Sequence, residues 1–585
     1  MTVLFVFPPQ IHPANIYASL PLLTGCLKSA GIKSTPLDLN VEFFNDVLTK
    51  DYLLKIYDEI LSISEKDSSF LSGREQEVFE LKKSKIKEYL SANSEEKITK
   101  IIDYVEKAVS IYKSKEDFYK PDLLFMAFKV ISEALNLISM RYYPARVSFG
   151  GVDDLYFKFR YDDIMFQLEN PDFNPFYEYF SQKINEMELG DTKLLMISIA
   201  FMSQLVPALT FAKLVKQKFG IPVSLGGCMI SRISDAFVNH SEMFGVYFDY
   251  LSLGDGERAV VELAKCVTEE GDFSEVKGLI YKKEKVFINE KDCFESLDFS
   301  TELNLEGLDF SKYFIPEIIL TLQVSKGCSW GRCSFCDSLA SKYITKSPKQ
   351  TVEMMKNIVE KYGINKFDFV DDSITAKFYG ELADEILEQK LDVRYYSMCR
   401  LEKSFTKELF EKMYKSGARK IDWGVETGSK RILQLMNKGV AFEDRMEIIR
   451  RASESGIYNL VFVLFGFPTE TKQDAEATID LVLENSDVID CYVSSMFTLR
   501  KHARMSSDLE KFNLTKIDLE EFSPNYYFEE QGREKDLTKS MHKLFQEKFI
   551  EKNSLTLWYI LSLFGYTQLY LEKYSRDFIK NYKLL

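Results

Sequence analysis

Three cysteines stand within nine residues of one another in the stretch GCSWGRCSFCDS, residues 327–338: Cys328, Cys333 and Cys336, with four residues in the first gap and two in the second. Soft thiolate ligands at this density suit an iron–sulfur cluster or zinc. A closed structural zinc site takes a fourth Cys or His nearby, and the nearest histidines are His240 and His502. On a four-iron cubane, three ligands leave one iron open for chemistry. A zinc knuckle with a distant fourth ligand and plain surface thiols are the other readings of the same spacing.

The elements around this loop place it at a strand end. Ile318–Val324, IILTLQV, is a continuous apolar run bounded by turn residues and reads as a buried strand. The cysteines follow its C-terminal end, where an α/β barrel keeps its active site. Strand–helix units then repeat, with strands expected at Lys366–Val370, Arg394–Cys399, Lys420–Val425, Leu460–Phe465 and Ile489–Ser494. Counting the first, this makes six. Polar or glycine residues recur where the strands end: Asp371 and Asp372, Arg400, Glu426, and Gly466 in GFPTET.

The cysteine loop, with Trp330 and Phe335 in Cys-x-Trp-x-x-Cys-x-Phe-Cys, resembles that of the radical SAM enzymes, in the variant found in their cobalamin-binding members. The usual first gap in that family is three residues and here it is four. The resemblance implies one [4Fe–4S] cluster on Cys328, Cys333 and Cys336, and S-adenosyl-L-methionine (SAM) held at the ends of the strands. Asp371 or Asp372 takes the place of the motif that holds the SAM amino group. Arg400 offers a two-donor fork to its carboxylate. GVETGSKRIL makes Glu426 a SAM contact, Gly466 belongs to the motif that shapes the adenine pocket, and Phe335 offers its backbone to adenine.

The N-terminal half reads as a second α/β unit. Strands are expected at residues 3–7, Ile32–Leu39, Leu194–Ala200, Ile221–Leu225 and Tyr250–Leu253, with helices between them and glycines at strand ends. That pattern describes a doubly wound sheet with a ligand crevice at the strand C-termini. The order of PP, SxxFxxQ (Ser198–Gln204), LGG (Leu225–Gly227) and GDGE (Gly254–Glu257) resembles the cobalamin-binding domain that precedes the barrel in one radical SAM subgroup. Ser198, Gln204, Gly226, Gly227, Gly254 and Glu257 are the cobalamin contacts this implies. His12 is in register with the cobalt-ligating histidine of other cobalamin domains, but Gln10 and Asn15 replace the Asp and Gly of that motif, and His12 is expected to be a loop residue.

With 585 residues, 46% apolar and 28% charged, the chain has the length for two or three domains and an ordinary globular balance. A net charge of −14 argues against a protein that lives on nucleic-acid phosphates. The expected fold class is α/β: a Rossmann-like cobalamin-binding domain (1–290) with a helical insertion (about 50–143), a linker (291–316), a partial (β/α)6 TIM-type radical SAM barrel (317–500) and a mainly helical C-terminal domain (501–585). Leu555–Leu571 is expected as a core helix, and neither a signal peptide nor a membrane span is expected, which points to the cytoplasm. The resemblance implies a cobalamin-dependent radical SAM methyltransferase. It would act at an unactivated carbon of a peptide or natural product through a 5′-deoxyadenosyl radical and methylcobalamin, with an external low-potential electron donor. Rearrangement, cyclisation or oxidation with the same cofactors is the alternative, and a non-catalytic metal- or cobalamin-binding regulator a more distant one.

Overall fold

The structure is a computed structural model that describes residues 2–69, 71, 73–149, 156–269, 271–291, 302–338, 342–518, 520–532, 536–553, 561 and 565–584. Its chain divides into two compact units, Met1–Asp292 with Thr301–Pro316 and Glu520–Ser523, and the remainder.

The first unit is built on β1 (Thr2–Phe7), β2 (Lys33–Asp38), β3 (Thr192–Ser198), β4 (Val223–Gly226), β5 (Tyr250–Ser252), β6 (Leu279–Lys282) and β7 (Val286–Ile288). The sheet order is β2-β1-β3-β4-β5-β6-β7. The first five strands pair in parallel and the last two add an antiparallel edge. Near-continuous apolar runs such as Val3–Phe7 and Leu194–Ile197 are buried because helices cover both faces. Strand order reverses between β1 and β3, and the crevice outside the carboxyl ends at such a switch point is where ligands bind in open α/β sheets.

Between β2 and β3 the expected helical insertion is present, with long helices at Lys50–Glu65, Gly73–Ala92, Glu95–Lys113 and Pro121–Tyr142. Ile98, Ile101, Ile102, Val105, Ala108 and Tyr112 form a buried stripe at helical spacing, with the charged residues turned outward. Pro121–Tyr142 is long and apolar enough to cross a membrane, and just over half of its apolar window is buried. It packs against Lys50–Glu65 and Glu95–Lys113.

The segment expected as a linker behaves differently where it is described. Residues 302–316 lie along the first unit: Asn304 N donates to Pro21 O at 2.9 Å, Phe314 N to Pro13 O at 2.8 Å, and the Tyr313 hydroxyl to Asp38 at 2.8 Å. Leu303, Leu305, Tyr313, Phe314 and Ile315 are buried, and their apolar area holds the segment down.

The second unit begins with β8 (Leu320–Leu322) and a short antiparallel pair, β9 (Ser325–Lys326) and β10 (Ile344–Thr345). It continues with β11 (Lys366–Ile374), β12 (Arg394–Cys399), β13 (Ala418–Glu426), β14 (Tyr458–Phe465) and β15 (Cys491–Met496). The order β15-β14-β13-β12-β11-β8 is all parallel, with helices between successive strands. This is the expected six-stranded partial barrel.

The C-terminal region is less helical than expected. It opens with β16 (Leu499–Arg500), β17 (Leu514–Asp518) and β18 (Asn525–Glu530), a small antiparallel sheet in the order β16-β18-β17. NYYFEE alternates half-buried and exposed side chains, the period of a strand with one covered face. Helices follow at Leu537–Asn553, Thr567–Lys573 and Arg576–Asn581. Most of Leu555–Leu571 lies outside the described residues.

Candidate active site

The cysteine loop leaves the C-terminal end of the first barrel strand and is tied down along most of its length. Ser334 donates from its backbone to Met436 O at 2.9 Å and from its hydroxyl to Leu435 O at 3.0 Å. Asn437 Nδ2 donates to Arg332 O at 3.0 Å, and Trp330 Nε1 donates to Asn437 O at 2.7 Å. Both anchors sit at the end of the helix Lys430–Met436, where Asn437 takes a left-handed conformation, φ 50°, as the cap. Gly439 is the seat of Trp330, since a Cβ there would stand 2.4 Å from the indole. From the other side Arg504 donates to Gly331 O at 2.8 Å, and Met505 N to Ser334 O at 2.9 Å. Within the four-residue first gap, Trp330 docks on Gly439 and Gly331 takes φ 57°.

The three thiols are free, Cys336 exposed and Cys328 and Cys333 partly so. Burial raises the Cys333 and Cys336 thiols, while Lys438 and Arg400 draw Cys333 back down. Among the described residues no three Cys, His, Asp or Glu side chains converge on a single-ion site. A tetrahedral zinc holds its sulfurs about 2.3 Å from one centre, so the zinc-knuckle reading lacks its geometry. A cubane takes each thiolate on a separate iron, so it does not need the three sulfurs to converge on one centre. The donor set therefore fits a cluster.

The other predicted residues gather around the loop. Asp371 is buried, and its Oδ1 accepts from Val324 N at 3.1 Å, from Ser325 N, and from Ser325 Oγ at 2.7 Å. Burial pushes its carboxyl up to about 7. It braces the chain just before the cysteines. Asp372, next along, is exposed and accepts from Ser338 Oγ at 2.7 Å, on the far side of the cysteines. Arg400 is buried, donates to Lys438 O at 2.7 Å and lies 5.4 Å over the Trp330 ring. Arg400 and Trp330 line a cleft of about 530 Å³ with Ser329, Thr375, Glu402 and Lys403.

Glu426 ends β13 at φ 66° and pairs with Lys438. The pair occupies the space above Gly424, where a Cβ would lie 2.6 Å from both charged groups. Lys438 also stands 6.0 Å over the Phe335 ring. Phe335 meets Phe467 edge-on at 6.4 Å, which brings the GFPTET turn to the loop. Gly466 there has φ 83° and donates to Glu470 at 2.6 Å.

In the first unit Ser198, Gly226 and Gly254 all stand at strand C-termini. Ser198 is in register with Gly226, where a Cβ would meet nothing closer than Ser252 at 3.6 Å. Gly254 has φ 78° with open space around it. Gln204 is fully buried: its Oε1 accepts from Ala200 N at 2.8 Å and its Nε2 donates to Pro8 O at 2.6 Å, joining the loops after β1 and β3 across the switch point. Gly227, φ 100°, is required by the protein's own backbone, because a Cβ would fall 2.4 Å from Ile199 O. Glu257 is buried in the first turn of the helix Gly256–Glu269. His12 lies among aromatic rings, 4.8 Å from Phe149 and 6.4 Å from Tyr112, and burial holds its imidazole down at about 3, neutral at any working pH.

Residues 322–482 match the radical SAM superfamily. The chain carries a radical SAM domain. The chain is 25% identical over 239 residues to an uncharacterized methyltransferase of Pyrococcus horikoshii, covering 40% of this chain and 52% of the relative. It is 23% identical over 249 residues to the anaerobic magnesium-protoporphyrin IX monomethyl ester cyclase of Cereibacter sphaeroides, covering 40% of each. It thus spans about half or less of the curated relatives it matches. Among solved structures it resembles the radical SAM methyltransferase TsrM from Kitasatospora setae, solved with cobalamin and a [4Fe-4S] cluster bound. The TM-score there is 0.54 at 16% identity, over 88% of this chain and 81% of that one. It also resembles the cobalamin-dependent enzyme OxsB, with a TM-score of 0.52 at 18% identity, over 64% of this chain and 60% of that one. These likenesses are of fold.

Sequence reasoning missed Lys438, whose ammonium serves both Glu426 and the cysteine loop. It also missed Ser325, the partner of Asp371. Lys438 lies between Asn437 and Gly439 in sequence, and only the fold shows that all three face the loop.

Proposed function

We propose that this protein is a cobalamin-dependent radical SAM methyltransferase acting at an unactivated carbon of a peptide or natural-product substrate. The observation that carries the reading is the cysteine loop, braced at the mouth of a six-stranded parallel barrel in a chain whose other unit is a parallel sheet with a switch point, the place where ligands bind in such sheets. Cys328, Cys333 and Cys336 hold the cluster. Asp372, free of the bracing that occupies Asp371, meets the SAM amino group, and Arg400 meets its carboxylate. The Phe335 backbone and the Gly466 turn flank adenine, and Glu426 with Lys438 sets the polar wall between them. Ser198, Gly226 and Gly254 border the cobalamin crevice, while Gln204, Gly227 and Glu257 support it. Bound together, these cofactors supply one-electron cleavage of SAM, hydrogen abstraction from carbon and a methyl group for transfer.

The residues of the chain position these groups and exclude water and oxygen. A low-potential electron donor from outside and a cytoplasmic, oxygen-poor setting belong to the same reading. The relative named a cyclase favours one second reading, oxidative cyclisation with the same cofactors. Anaerobic reconstitution with cobalamin, SAM, reductant and a candidate peptide or natural-product substrate, followed by mass spectrometry of SAM products, separates the two. 5′-Deoxyadenosine together with S-adenosylhomocysteine supports methyl transfer. 5′-Deoxyadenosine alone, with substrate consumed, favours the second reading, and neither product would overturn both.

A further inference from the structure

The inner face of the barrel sheet is layered, and the layers lie below the mouth where the cofactor residues gather. Partners in a parallel sheet share a face, and the register places Asp368 beside Tyr396 and Tyr396 beside Lys420, with Lys420 opposite Tyr458. Two residues further along each strand come Val370, Met398 and Asp422, and Gly424 is opposite Phe462, which is opposite Val493. Phe367, Phe369, Tyr395, Ile421 and Trp423 point the other way and are buried under the helices. A barrel interior is ordinarily filled by its own side chains. Here Val370 is 46% exposed, Met398 40% and Val493 38%, so the inner face is an open apolar slot.

The slot has an ionic floor. Lys420 pairs with both oxygens of Asp422, at 2.7 and 2.9 Å, and lies 4.9 Å over the Tyr396 ring. Tyr396 in turn hydrogen-bonds Asp368. The floor therefore sets two carboxyl groups against one ammonium. Arg576 is taken up by Asp490 and Ser453, and Arg394 by Glu572, so both arginines are paired away from the floor. The Tyr458 hydroxyl, in register with Lys420 and fully buried, has no hydrogen-bond partner among the described residues. A buried hydroxyl without a partner is unfavourable, which makes that of Tyr458 suited to a ligand that reaches it.

We infer that the barrel lumen binds a substrate with an apolar body and a terminal amine, the body lying along Val370, Met398, Phe462 and Val493 and the ammonium reaching the floor of Asp368, Asp422 and Tyr458. The inference rests on the proposed radical SAM function, which puts the reacting carbon at the mouth. An incoming ammonium balances the second carboxylate, and a carboxylate-bearing ligand would add a third negative charge. Burial raises the Asp368 and Asp422 carboxyls, which Lys420 offsets only in part, and an ammonium beside them would favour their charged forms.

Calorimetry on the reconstituted full chain with hexylamine, hexanol and hexanoate as probes tests this. Hexylamine is expected to bind at least tenfold more tightly than hexanoate. Asp422→Asn and Asp368→Asn are each expected to weaken hexylamine at least tenfold while leaving hexanol within about twofold. Met398→Trp, which fills the slot from an exposed position without touching the floor, is expected to abolish binding of both hexylamine and hexanol. It keeps the test available if a floor variant fails to fold. Equal or tighter binding of hexanoate, or hexylamine binding indifferent to both Asp422→Asn and Met398→Trp, would overturn the inference. Release of 5′-deoxyadenosine is measured separately, so failure of the radical SAM reading and failure of the amine site give different results.

Discussion

Asp371 and Asp372 are neighbours in sequence with opposite surroundings, and residue-scale predictions divide between them. Replacing Asp371 by Leu strands the backbone N–H groups of Val324 and Ser325, at about 1–3 kcal/mol for each buried donor. The expected outcome is a loosened cysteine loop and lower iron content after purification. Its pH dependence has a definite sign. The folded carboxyl titrates at about 7 against an ordinary 3.8, so the folded state holds a proton that the unfolded state has released. Its contribution to stability is therefore full below the unfolded value, falls as pH rises toward 7 and is flat above. Melting curves of wild type and Asp371→Asn between pH 5.5 and 8 should diverge in that direction, the wild type losing more stability with rising pH than the variant. Asp372→Asn should leave melting unchanged and weaken SAM binding about tenfold, read by equilibrium dialysis. Unchanged SAM affinity would return the amine-binding role to another group.

At the scale of elements, the cysteine loop depends on the turn after the helix Lys430–Met436. Trp330→Ala removes the indole from its seat on Gly439 and its hydrogen bond to Asn437 O, and the expected result is a cluster that loses iron several-fold faster to a chelator. Gly226 and Gly227 illustrate a second contrast. Gly226→Leu has room for its Cβ and projects into the crevice, so cobalamin uptake should fall with iron content and fold retained. Gly227→Ala drives a Cβ into Ile199 O at a left-handed φ and should destabilise the unit as a whole. The strands were legible in the sequence because buried parallel strands are unbroken apolar runs; Arg394–Cys399 falls at the expected residues. The cysteine loop was legible as a candidate site because three thiols fall within nine residues. Residues 302–316 were not, since Leu303, Leu305, Tyr313, Phe314 and Ile315 are scattered among polar residues and only a partner surface reveals their common face. The ionic floor of the lumen was hidden for a related reason. Asp368, Lys420 and Asp422 interrupt apolar strands at alternate positions, and an α/β strand with one polar-lined face looks, in sequence, like a weak one.

At the scale of the molecule, the chain joins two units whose sites are built from separate residues, so their cofactors should load independently. Cys328, Cys333 and Cys336 changed together to Ala should abolish iron and reductive SAM cleavage while cobalamin uptake persists; loss of both cofactors in that variant would mean the units do not load separately. The fold, the radical SAM match and the braced three-cysteine loop meet in one claim: this loop carries a [4Fe–4S] cluster whose open iron binds SAM. Electron paramagnetic resonance of the anaerobically reconstituted, dithionite-reduced protein tests it most directly, recorded with and without SAM. The account predicts the signal of a reduced [4Fe–4S] cluster that changes in shape and g-values when SAM is added and is absent from the triple Cys→Ala variant. A signal indifferent to SAM, or one that survives removal of the three cysteines, would contradict it.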